Sequence, residues 1–172
     1  MRILFSESLP DYENYVFPYA VWAVPEENEE ISLMFGGGFL PAGHDMNKFY
    51  LCRHIRIKLE NFQPSSENRR ILRKGEDIIC RLVQRQDFDF TQDRSDFCLN
   101  YFREKFGPEV MTRQRFHSLI HSDITSHILV FEDQSSGKEI GYVTLFLYEK
   151  KLLLSINSFL GFGSKIRSFF KA

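Results

Sequence analysis

Apolar and polar residues alternate along Phe49–Leu59. Phe49, Leu51, Ile55, Ile57 and Leu59 fall on one side, and Tyr50, Cys52, His54, Arg56 and Lys58 on the other. A period of two predicts a half-buried β-strand, with Arg53 the one charge on its apolar side. A turn follows at Phe62-Gln63-Pro64. Ser65 or Ser66 is then placed to N-cap a helix that has Glu67 in its first turn and Gly75 at its end. This helix gathers Arg69, Arg70, Arg73 and Lys74 on one broad face and turns Ile71 and Leu72 inward.

Upstream, Arg2–Phe5 predicts a short edge strand, and Val16–Val24 a β segment bent or edged by Pro18. Glu26–Phe35 predicts a helix with acidic residues in its first turn, stopped by Gly36-Gly37-Gly38. That triplet lacks the following Lys-Ser/Thr and the preceding strand of a phosphate loop, and reads as a cap and turn. Downstream, Asp77–Gln84 predicts a strand. A helix from about Ser95 to Phe106 comes next, with Phe97, Leu99, Tyr101, Phe102 and Phe106 on its apolar side and Gly107-Pro108 ending it. Thr112–His121 predicts a second helix, capped by Thr112, with Met111, Phe116, Leu119 and Ile120 inward. Ile128–Phe131 and Ile140–Leu147 form a hairpin through the loop 133–138, and Lys151–Ile156 a third antiparallel strand. The class is α+β, divided into an N-terminal region over 1–90, with the basic strand-helix element, and a second region over 91–172.

Charge changes this picture only locally. The whole chain carries a net charge of −1, so bulk electrostatics predict no polyanion partner. Between Lys48 and Lys74, however, eight Lys and Arg face only Glu60 and Glu67, a net of +6. Such a stretch is a solvated face or a phosphate-contacting surface, since Arg forks match phosphate oxygens. The 18 Phe and 43% hydrophobic content are enough for a packed core. No apolar run approaches a membrane span, and the N-terminus does not read as a signal peptide, so a cytoplasmic protein without membrane association is expected. Cys52, Cys80 and Cys98 are far apart, with no C-x-x-C, and indicate neither a disulfide framework nor a zinc knuckle.

The stretch Gly38-Phe39-Leu40, then Cys52 with Arg56 four residues on, then Phe62-x-Pro64-Ser65-x-x-x-Arg69-Arg70-Ile71-Leu72-Arg73-Lys74, resembles the aminoacyl-tRNA–protein transferases. These are the arginyl- and leucyl-transferases of the N-end rule pathway. Order and spacing match over roughly Gly37–Asp77. The resemblance implies transfer of arginine or leucine from charged tRNA to a protein or peptide whose first residue is Asp or Glu. It also implies an antiparallel sheet with flanking helices of the GCN5-related N-acetyltransferase type, with which Ile140-Gly141-Tyr142-Val143 and the helix pair before the hairpin agree. Many family members carry further cysteines before the strand, able to hold a metal or iron–sulfur centre. Here Asp45–Leu51 supplies none, so neither metal nor cofactor is expected. Ser155–Ala172 matches nothing in the family, and a C-terminally incomplete, truncated or frame-altered product is expected from it.

Aminoacyl esters are already activated, so positioning and a path for the amine proton can supply much of the rate. No Ser-His-Asp or Cys-His constellation is suggested, and the catalytic residues stay unassigned. Arg56, Arg69, Arg70, Arg73 and Lys74 are the candidates for the tRNA backbone; Tyr50 and His54 share a strand face with Arg56 and are placed to stack on a base. Cys52 is either a plain strand residue or a reactive thiol. His117 and His121, spaced i and i+4, are a surface or core-edge pair or a metal pair without a third ligand. The competing classes are a truncated inactive product, a tRNA- or phosphate-binding module, and an acetyl-coenzyme A-dependent N-acetyltransferase. Only Gly161-x-Gly163 hints at the last.

Overall fold

The computed structural model describes the chain except residues 14–15, 28–29, 43–46, 54–58, 149–150 and 161–172, with the backbone alone at 59, 148 and 151–160. Two four-stranded antiparallel sheets carry it. The first has the order β1-β2-β4-β3, from β1 (Arg2–Glu7), β2 (Tyr19–Val24), β3 (Phe39–Ala42) and β4 (Lys48–Leu51). The second has the order β5-β6-β7-β8, from β5 (Ile78–Gln84), β6 (His127–Asp133), β7 (Lys138–Tyr148) and β8 (Lys151–Leu160). Four helices are described: α1 (Glu30–Gly37), α2 (Ser66–Lys74), α3 (Gln92–Phe106) and α4 (Arg113–His121). The α+β class is as expected, and β5 pairs with β6 rather than with any strand of the first sheet.

Local chemistry explains the well-predicted elements. Thr112 caps α4 by accepting from the Arg115 N–H at 3.2 Å, and Met111, Phe116, Leu119 and Ile120 are buried as their spacing required. The β6–β7 hairpin turns on Asp133, whose carboxylate accepts from the Ser135 and Ser136 amides at 2.9 and 3.0 Å. Gly137 sits there at φ 64°, a region that suits glycine. The Ser135 hydroxyl first, and then these amides, hold the Asp133 carboxyl down at about 2.

Other expectations need correction. From Phe49 the strand β4 runs to Leu51, with Cys52 and Arg53 outside it; residues 54–58 of the alternating stretch lie outside the described residues, and a short 3-10 turn occupies Leu59–Asn61. α1 begins at Glu30, not Glu26, because Glu30 Oε2 takes the Glu26 amide at 2.9 Å while the N-terminal ammonium bonds both carboxylates. α3 begins earlier, at Gln92, since Thr91 rather than a later residue caps it. It buries Cys98 and leaves Phe106 53% exposed. Leu72, expected inward, is 63% exposed, and α2 buries none of its side chains.

The core lies between the sheets and α1, α3 and α4. Phe35 joins the two sheets, its ring 5.6 Å from Phe49 of the first and 4.9 Å from Phe146 of the second. Around Tyr142, Phe88, Phe90 and Phe97 pack at centroid distances of 5.7–6.0 Å. Glu139 pins α3 to β7: Arg94 donates to it in a fork at 2.8 and 2.9 Å, and the Tyr142 hydroxyl adds a bond at 2.7 Å.

Candidate nucleic-acid interface

The basic helix α2 is set by its ends. Ser65, extended at ψ 172°, accepts from the Asn68 amide at 3.1 Å, and Asn68 Oδ1 takes the Ser65 amide at 2.9 Å. This reciprocal cap is the device expected after Pro64, with Asn in place of the usual Glu or Gln. At the other end the Gly75 amide bonds the Leu72 carbonyl at 3.0 Å. Arg73 and Lys74 in the last turn complement the helix dipole.

The four cations of α2 are not equivalent. Arg69 donates to the Pro64 carbonyl at 2.6 Å, folding its side chain back on the cap. Arg70 forks onto Glu67, with Nε to Oε2 at 2.7 Å, and this hydrogen bond holds the Glu67 carboxyl below its ordinary range. Arg73 and Lys74 are exposed, and no hydrogen bond or ion pair joins them to another described residue. They are the two cations of this helix without a hydrogen-bond or ion-pair partner among the described residues. Arg56 and His54 lie outside the described residues.

Tyr50 stands on β4, 36% exposed, paired in register with Trp22 of β2. Burial of its hydroxyl end raises its pKa. Cys52, just past β4, donates its amide to the Gly38 carbonyl at 3.1 Å. Gly38 adopts φ 95° there, which brings the start of β3 alongside. Burial pushes the Cys52 thiol up, away from the thiolate that nucleophilic or redox chemistry needs.

A second cluster was not read from the sequence as one site. The Arg85 guanidinium spends all three nitrogens: on the Ile120 carbonyl, on the Phe88 carbonyl at 3.0 Å, and on His121 Nδ1 at 2.8 Å. Because a guanidinium only donates, His121 Nδ1 accepts, and Nε2 carries the proton. Burial, then the neighbouring His117 and Arg85, lowers the His121 pKa. The His117 ring stands 4.1 Å away, so the i, i+4 pair is a ring contact at the edge of the core. Arg85, Phe90, Arg113, Phe116, His117 and His121 help line a cavity of about 600 Å³. Among the described residues no three His, Cys, Asp or Glu side chains gather as a metal-ligand set.

Among the described residues, no helix is long and apolar enough to cross a membrane. No family model matches the chain, and neither a curated protein nor a solved structure matches it.

Proposed function

We propose that this chain binds charged tRNA and belongs with the aminoacyl-tRNA–protein transferases, passing arginine or leucine to a peptide that begins with Asp or Glu. The observation that carries the reading is α2: a capped helix directly after Phe62-x-Pro64-Ser65 that has no fully buried side chain and leaves Arg73 and Lys74 for an external anion. A helix with no fully buried side chain and a cationic last turn suits phosphate contact. The order β5, α3, α4, β6, β7, β8 with a sequential antiparallel sheet is consistent with the opening part of a GCN5-related N-acetyltransferase-like fold.

In this reaction the acceptor's α-amine attacks the ester carbonyl of the aminoacyl-tRNA. An amide bond forms, the ester C–O bond breaks, and the tRNA hydroxyl leaves with the proton that the amine gives up. The protein's part is to hold both partners in line.

The test is to incubate the chain with arginyl- or leucyl-tRNA and a peptide starting in Asp or Glu, and to measure the peptide's mass. One added aminoacyl residue is expected. Arg73→Glu/Lys74→Glu should weaken tRNA binding and lower the salt slope, by about 2 for two lost phosphate contacts. Arg69→Glu/Arg70→Glu should do less, since both side chains are engaged at home. Binding without transfer would reduce the reading to a tRNA-binding module. Acetylation by acetyl-coenzyme A, or neither binding nor transfer, would end it.

A further inference from the structure

The outer face of the first sheet follows from parity. Ala23 and Phe49 are fully buried against the core, so the residues on either side of them along β2 and β4 point the other way. The register then sets Leu4, Trp22, Tyr50 and Leu40 in one row across the four strands, and Arg2, Val24, Lys48 and Ala42 in the next. With strands spaced about 4.8 Å apart, such a row is about 14 Å wide, room for one or two bases.

The aromatic pair at its centre is held in place. Trp22 and Tyr50 have centroids 6.3 Å apart, and Trp22 Nε1 donates to Ser6 Oγ at 2.8 Å, which fixes the indole. Lys48 Nζ lies 4.8 Å over the Trp22 ring. Together with Ser6 and Ala20 of the third row, these positions carry two cations and no carboxylate. On β1, Glu7 alternates to the other side from Ser6, and the Glu26 and Glu30 carboxylates bond the N-terminal ammonium. An exposed Tyr50 beside a half-buried Trp22, in rows whose own charges are both cationic, favours a polyanion with flat apolar rings over an apolar peptide.

We propose that this face is a stacking platform for single-stranded RNA, taking a base on the Trp22–Tyr50 pair and the adjoining phosphates on Lys48 and Arg2. It rests on the reading of the chain as a tRNA-binding protein and adds a contact on a different element from α2. A phosphate gives Lys48 an anionic partner and draws its ammonium off the indole, which opens that ring face to the base.

Trp22 is the one tryptophan in the chain, so its emission reports the site directly. The full chain would be titrated with a five-nucleotide single-stranded RNA ending in CCA, and with a blunt duplex, while anisotropy follows labelled tRNA. Saturable quenching by the single strand and not by the duplex is expected. Tyr50→Ala should weaken it roughly 5- to 150-fold, and Tyr50→Phe, which keeps the ring, should largely retain it. Lys48→Gln should lower the salt slope by about 0.7. Circular dichroism unchanged from the parent secures all three variants as folded. If tRNA binds through Arg73 and Lys74 while Trp22 is not quenched and Tyr50→Ala changes nothing, the platform is wrong and the tRNA reading stands. If the oligonucleotide quenches Trp22 but tRNA neither binds nor reacts, the platform survives and the transferase reading falls. Quenching by an apolar peptide and not by RNA would make the face a protein-docking surface and overturn the proposal.

Discussion

The two sheets have the same number of strands and unlike economies. The second is a simple meander whose strands follow chain order, and β6 and β7 place Ile128, Val130, Tyr142, Val143, Leu145 and Phe146 among the buried residues. Across the first sheet only Ala23 and Phe49 are buried, and β1 is exposed along its whole length. One sheet is a core with helices laid on it; the other is mostly surface with one inner seam. Stability is therefore concentrated in the half built from β5 onward, which leaves the first sheet and α2 open to partners.

The largest test of that contrast is Phe116→Ala. Phe116 is 2% exposed beneath Phe90, and its truncation should cost about 3–5 kcal/mol, read as a lower denaturant midpoint. A loss under about 1 kcal/mol would show that the second half is not where stability resides. Next is Ser65→Ala, which removes the cap of a helix outside both sheets. It should cost about 1 kcal/mol at most in global stability, because α2 has no buried side chain to transmit more. A much larger loss would make α2 part of the core.

The smallest effect is in pH. The folded His121 pKa lies below the ordinary 6.5, so the unfolded chain takes up the proton more readily. The stability from its neutral form is complete above about 6.5 and declines as pH falls through the lower, folded value. Protonation would put an N–H against Arg85. Lys48, Asp87, Asp89, Arg113, His117 and Asp123 are the other charged or titratable groups lining the surrounding cavities. Urea midpoints between pH 7 and 5 should fall slightly for the parent and stay flatter for His121→Gln. Identical profiles would assign the titration elsewhere.

What the sequence revealed follows the range of each interaction. The caps at Ser65 and Thr112 and the Asp133–Gly137 turn were legible because donor and acceptor lie within a few residues. β4 stops at Leu51 because alternation shows that a segment is able to pair, not that neighbours run alongside it. β3 offers only Phe39–Ala42, and the pairing with β2 spans Phe49 and Tyr50. The start of α1 depended on the N-terminal ammonium, 29 residues from Glu30. Trp22 beside Tyr50 and His121 beside Arg85 are likewise long-range. A lone tryptophan in a wholly apolar β segment was the visible signal for the first; nothing in spacing announced the second. The extent and caps of the basic helix were legible, but the sequence did not show that Leu72 would face out, or that Arg69 would fold back on Pro64 and Arg70 pair with Glu67.

That helix has one more consequence. Because α2 is fastened at Ser65 and Gly75 and touches the core with no buried side chain, it behaves as an interchangeable cassette between the sheets. Its exposed residues can be rewritten for a different ligand while the scaffold on either side keeps its shape. A chain built this way separates the adjustable part of recognition from the part that must fold.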